Sequence, residues 1–204
     1  EHYEFRLVRE SLAEREVLLS IAPHIVWPLT FVLPHDPSMR ARWMIRAGLM
    51  FYDNLARRNR LAASRAIDLA THAAGSPLNP SFRHGFTYSD CWVDDSRLVV
   101  LNAMDARERG ATIRTRCRLS AVTHDADMWH STIQPEQGPA FTMSARVLVN
   151  AAGPWAGDVW RMASGSNAPS RLRLIKGSHI IVPRLYEGDW AYIVQQQDSR
   201  VVFI

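Results

Sequence analysis

The sequence predicts an α+β protein made of two interleaved parts. Three observations carry this reading. Helices are expected in three separated stretches, around residues 1–21, 38–57 and 97–109, the first from apolar residues at turn-like spacing and the third from an acidic start signal. Two adjacent segments, "ATIRTRCRLSAVTHD" and "MWHSTIQP", alternate as the arms of a hairpin do. The final third is rich in strand-like runs separated by short turns, "RLIKGSHIIVPRL", "WAYIVQQ" and "RVVFI".

The first helix is expected from Glu1 to about Ile21, because Phe5, Val8, Leu12 and Leu19 return at turn-like intervals among Arg and Glu. Pro23, Pro28, Pro34 and Pro37 then bracket "LTFVLPH", which reads as a short strand or an edge strand, since proline is excluded from helix interiors and central ladders. A second helix is expected over Ser38 to Arg57, where Met44, Ile45, Leu49, Met50 and Tyr52 interrupt many arginines. Residues 58–84 give little pattern beyond the turn-rich "AAGSPLNPS". "HGFTYSDCWVDD" reads as extended, and its closing Asp94 and Asp95, followed by Ser96, signal a helix over Arg97 to Arg109 that Gly110 ends.

After the hairpin, "FTMSARVLVNAAG" places Val147, Leu148 and Val149 in what reads as a strand buried on both faces. It runs into "NAAGPWAGDVWRM": two small residues and a glycine, then proline and tryptophan opening a helix. Such a turn lets backbone approach a ligand at a strand's carboxyl end. The chain opens inside a helical pattern and stops inside an apolar strand, so both ends read as cuts in a longer sequence.

At 204 residues and 47 % hydrophobic content the chain can bury one substantial core or two smaller ones. The net charge of +4, from 24 basic and 20 acidic residues, is dispersed, which argues against nucleic acid and fits an anionic small substrate or an acidic membrane surface. Cys91 and Cys117 form neither a CxxC pair nor a ligand cluster, so no metal site or disulfide scaffold is expected, and reduced, cytoplasmic thiols are the default. No apolar run approaches the ~20 residues needed to span a bilayer, leaving peripheral contact as the expected mode of any membrane association.

Three groups invite a chemical reading. His179 stands ahead of the apolar run Ile180, Ile181 and Val182, preceded by Lys176, Gly177 and Ser178. It reads either as a buried histidine whose ring bonds a backbone group or as a general base, because an unperturbed imidazole titrates near pH ~6.5 and accepts an alcohol proton at neutral pH. Ala151, Ala152, Gly153 and Trp155 form either a tight packing turn or a ligand-facing one. Arg40, Arg42, Arg46, Arg57, Arg58 and Arg60 read first as a solvated basic face. With Trp43, Met44, Leu49, Met50 and Phe51 beside them, they also fit a contact with anionic lipid.

Over essentially its whole length the sequence resembles the middle of the aerobic FAD-dependent glycerol-3-phosphate dehydrogenases, members of the D-amino-acid-oxidase-like flavoprotein superfamily. The segments that carry the resemblance are "EHYEFRLVRESLAEREVLL", "APHIVWPLTFVLPH", "GFTYSDCWVDDSRLVVLNAMDARERGA", "RVLVNAAGPWAGDV" and, most specifically, "RLIKGSHIIVPR". The GxGxxG turn that cradles the FAD pyrophosphate in that family lies outside these 204 residues, as do its phosphate-gripping arginines.

The resemblance implies a partial FAD-binding (glutathione-reductase-like) domain interleaved with an antiparallel-sheet substrate or cap domain. Residues 1–21 and 85–165 would belong to the former, and 22–84 and 166–204 to the latter. It implies oxidation of sn-glycerol 3-phosphate to dihydroxyacetone phosphate, with hydride passing to FAD, electrons going on to a membrane quinone, and peripheral association with the cytoplasmic side of the inner membrane; a homodimer is compatible with all of this. His179 would be the base, with Gly177 and Ser178 leaving room for substrate and Lys176 an anion-attracting neighbour. Ala151, Ala152, Gly153 and Trp155 would line FAD, and the main chain of Leu119 would meet adenine. The chain by itself would be inactive. The rival readings are an amine oxidase of the same superfamily and a non-catalytic module that binds an anion or lipid.

Overall fold

The computed structural model describes residues 5–56, 60–165, 172, 174–196 and 200–204. In chain order the elements are α1 (Phe5–Ile21), β1 (Val26–His35), α2 (Arg42–Asn54), β2 (Arg65–Asp68), β3 (His84–Val93), α3 (Asp95–Glu108) and β4 (Cys117–Asp125). They continue with β5 (Met128–Pro135), β6 (Phe141–Ala145), α4 (Ala156–Ser164), β7 (Trp190–Gln195) and β8 (Val201–Phe203). The chain is α+β, as its pattern predicts. It divides into two compact units, residues 1–104 with 182–204, and residues 105–181. This division cuts the chain elsewhere than the four expected segments, placing α1 and β3 in the first unit.

The first unit is built on a five-stranded sheet of order β2-β3-β1-β7-β8. β1 pairs with β3 antiparallel along its whole length, from Val26 opposite Val93 to His35 opposite His84. On its other side it meets β7 in parallel over Thr30–Val32 alone. The expected short or edge strand is therefore a ten-residue central one. Pro28 and Pro34 are tolerated because the β7 ladder, where a missing N–H would matter, stops short of both. β2 joins the sheet from the stretch in which the sequence shows no pattern.

The buried positions of β1, Val26, Val32 and Pro34, share one parity and so one face of the strand, and two clusters of buried residues form in this unit. Leu19, Ala22, Ile25, Val26 and Leu61 form one cluster, with Leu98 and Leu101 of α3 packed against it. Val32, Leu69, Ala74 and Tyr192 form the second, where the Tyr192 hydroxyl donates to the Ala74 carbonyl. On α1 the buried positions are Leu12, Arg15 and Leu19, a stripe at the three-to-four spacing of one helix face. Arg15, 8 % exposed, reaches Asp90 of β3 at 3.1 Å and the Tyr52 hydroxyl of α2 at 2.8 Å, so one guanidinium ties α1 to a strand and a second helix. α3 starts where expected: Asp94 accepts from the Arg97 N–H, an N-cap. Gly110, at φ +96°, closes the turn that follows it.

The second unit holds the antiparallel meander β4-β5-β6, which includes the expected hairpin, and α4 lies against β4. A bulge interrupts the β4–β5 register between Leu119 and Ala121. A side-chain relay crosses the three strands: His130 lies 2.9 Å from Asp125 and 2.8 Å from Ser144. A carboxylate can only accept, so the ring donates from Nε2 to Asp125.

Two expected strands do not form. Val147–Val149 is unpaired, with Val147 71 % and Val149 80 % exposed. Residues 174–185 likewise lie outside any sheet, and Ile181 is fully exposed. A strand is held by its ladder, and among the described residues neither run has a pairing partner. The parts of the first helix at 1–4, of the second at Arg57 and of the basic series at Arg57 and Arg58 lie outside the described residues.

Candidate functional site

The turn at Ala151–Trp155 is where local sequence most clearly dictates local shape. Asn150 leads it. Its side-chain oxygen accepts from the Ala152 N–H at 3.3 Å, and its amide nitrogen donates to the Ala156 carbonyl at 2.8 Å. Gly153 takes φ +52°, a left-handed conformation costly for any residue with a Cβ, and opens a 3₁₀ turn over Gly153–Trp155 with Pro154 in its second position. Nothing lies within 4 Å of where a Gly153 Cβ would stand, so conformation rather than crowding requires the glycine. The turn feeds α4, which closes on Gly165 at φ +63°. Small side chains at Ala151, Ala152 and Gly153, and a Trp155 that is 67 % exposed, leave main chain open to a ligand.

Leu119, half-buried, sits at the β4 bulge in the same compact unit. The helix launched by the Ala151–Trp155 turn packs on the strand that carries it, so the expected cofactor-lining residues share one framework. Lys176, Gly177, Ser178 and His179 occupy the unpaired run near the end of that unit, and all four are exposed. Nothing crowds Gly177 within 4 Å. Here His179 is an exposed imidazole on an unpaired segment, not a buried one.

Two depressions mark the surface. One, of about 770 Å³, is shallow and lined by Arg116, Cys117, Arg118 and Gln134 among others. Arg116 there has φ +54° and pairs with Glu136 at 3.3 Å. The other, of about 640 Å³, runs between the approach to α2 and strands β1, β7 and β8, with Leu33, Met39, Arg40, Ile45 and Ile193 on its walls. Among the described residues no group of three or more His, Cys, Asp or Glu could hold a metal ion.

The arginine series is partly absorbed by structure. Arg46 donates to the Ser64 hydroxyl at 2.9 Å and Arg60 to the Leu19 carbonyl at 3.1 Å. The apolar neighbours are outside the core: Trp43 is 71 %, Met50 52 % and Phe51 52 % exposed, with Phe51 edge-on to Phe5. Cys91 is an inert thiol, since burial above all, helped by Asp90 and Glu16 and opposed by Arg15, pushes its pKa up to about 11. Asn150 is the site residue that motif reading passes over. Its signal is an asparagine directly before a small-residue turn, the type that bonds main chain two residues on.

A two-unit α+β chain whose exposed glycine turn joins an unpaired segment to a helix matches, over residues 1–204, the FAD dependent oxidoreductase family. The chain belongs to that family. It is 55 % identical over its full length to a glycerol-3-phosphate dehydrogenase of Pseudomonas aeruginosa and spans 39 % of that protein. It is 50 % identical to a D-erythritol 1-phosphate dehydrogenase of Brucella abortus, spanning 41 % of it, and 46 % identical to the aerobic glycerol-3-phosphate dehydrogenase of Escherichia coli, spanning 40 %. Among solved structures it is similar to the glycerol-3-phosphate dehydrogenase from Bacillus halodurans complexed with FAD. The TM-score is 0.54 at 21 % identity, covering 76 % of this chain and 26 % of that one, a likeness of fold.

Proposed function

We propose that this chain is part of an enzyme that oxidises sn-glycerol 3-phosphate to dihydroxyacetone phosphate, with FAD as its cofactor and a membrane quinone as the acceptor of its electrons. The observation that carries this is the full-length similarity, at 55 % and 46 % identity, to two proteins named for that activity. The residues fit the cofactor: Ala151, Ala152 and Gly153 offer main chain without bulky side chains, and Gly153 holds its left-handed turn in open space. Trp155 and the Leu119 main chain would complete that lining. FAD, when bound, supplies the hydride acceptor.

The work of this chain's residues is at the alcohol. His179 takes the hydroxyl proton, raising electron density at the carbon that loses hydride. Gly177 and Ser178 leave space for the substrate, and Lys176 draws its anionic end. Exposure of the whole Lys176–His179 run supports this reading, because it leaves the imidazole open to a substrate. Peripheral contact with anionic lipid falls to α2, where Trp43 is exposed next to Arg42 and Met50 and Phe51 are exposed further along the helix. No helix among the described residues is long and apolar enough to cross a membrane.

The D-erythritol 1-phosphate dehydrogenase of Brucella abortus, at 50 % identity, favours a second reading in which the substrate is a longer polyol phosphate. Steady-state rates of the complete enzyme on both compounds, with a dye as acceptor, decide between them. A kcat/KM for glycerol 3-phosphate at least tenfold above that for D-erythritol 1-phosphate is expected; the reverse order selects the second reading.

A further inference from the structure

We propose that Asn150 is a positioning residue for FAD: its amide locks the Ala151–Gly153 turn to the first turn of α4 and so fixes the main chain that the cofactor meets. This rests on the assignment of that turn to FAD. The side chain uses both ends. Oδ1 accepts from Ala152, the residue just before the left-handed glycine, and Nδ2 donates to the Ala156 carbonyl at the start of α4. A single planar group thus spans from before the Gly153–Trp155 turn to beyond it. No other residue type of this length offers one donor and one acceptor in that arrangement. Aspartate would keep the bond to Ala152 and set a negative charge against the Ala156 carbonyl, while alanine would lose both bonds. The turn is exposed and nothing crowds Gly153, so this amide, rather than surrounding packing, limits how far the turn can move.

The test uses the complete enzyme carrying Asn150→Ala, Asn150→Asp or Gly153→Val, with FAD affinity measured by titrating the apoprotein and following flavin fluorescence. Thermal melts of each apoprotein check the fold. Asn150→Ala is expected to weaken FAD about tenfold and Asn150→Asp by less. Apoprotein melting is expected to stay unchanged, and saturating FAD to restore kcat. Unchanged FAD affinity in Asn150→Ala overturns the proposal. If Gly153→Val still loses FAD in that case, the turn remains the cofactor's and only the role of Asn150 falls; if neither variant loses affinity, both assignments fall. Should Asn150→Ala melt early, Asn150→Asp carries the test, and wild-type affinity together with wild-type melting in that variant counts against the amide donor.

Discussion

Single side chains decide the chemistry proposed for this protein, and His179 is the first to test. Replacing it with alanine in the complete enzyme is expected to lower turnover ~100- to 10,000-fold while FAD content stays normal, the usual cost of removing a general base. Rates across pH 6 to 9 check this, and unchanged turnover removes His179 from the mechanism. Arg15 makes a different prediction because it is buried between Asp90 and Tyr52. Arg15→Met leaves Asp90 without its partner. Since the Asp90 side chain is 42 % exposed and can rehydrate, the loss is about 1–3 kcal/mol in a urea titration, short of a fully buried pair. The sequence makes the Gly153 turn legible, because a glycine between small residues and proline marks a turn, and it singles out His179 as a candidate because histidine is a rare choice beside an apolar run. It conceals Arg15, whose spacing on α1 is that of the apolar stripe, while its residue type belongs to the exposed face.

Elements differ in how much their glycines matter. A Cβ at Gly75 would stand 1.7 Å from the Leu69 carbonyl oxygen, whereas nothing lies within 4 Å of one at Gly48 inside α2. Gly75→Ala is therefore expected to cost about 3 kcal/mol or more, and Gly48→Ala to stabilise by about 1 kcal/mol, both read from urea midpoints. β3 adds a pH prediction. Burial, the largest cause in both, raises Tyr88 to about 12 and Cys91 to about 11, from ordinary values of 10.0 and 9.0. In the unfolded chain these groups release their protons earlier, so the unfolded state binds fewer protons between the two sets of values. Their contribution is whole below pH 9 and is lost as pH rises toward 12, so the thermal midpoint is expected to fall across that window. Helices, the hairpin and β3 were readable from period and capping residues. The two missing strands were misread because apolar runs at Val147–Val149 and Ile180–Val182 record a burial these residues do not supply to one another. β1 was misjudged because proline rules say nothing of how short a neighbour's ladder is.

At the scale of the molecule, large apolar side chains remain uncovered in both units, among them Trp43, Trp160, Ile180 and Ile181. The 204 residues alone are expected to neither retain FAD nor oxidise glycerol 3-phosphate, and to self-associate as concentration rises. Dialysis with FAD, a dye-coupled assay and sedimentation velocity check this; stoichiometric flavin with measurable turnover would refute it.

The parallel contact between Thr30–Val32 and Trp190–Tyr192 has a consequence for the timing of synthesis. A ribosome adding roughly 5–20 residues per second needs on the order of 10–30 s to travel from β1 to β7. Throughout that interval β1 has its antiparallel partner but not its parallel one, and the second core lacks Tyr192. The meander β4-β5-β6 is made in the meantime and, built of local pairings, can fold before the sheet of the first unit is complete. Nascent chains halted before residue 190 are thus expected to show a protease-resistant meander over Cys117–Ala145 beside a still-susceptible β1.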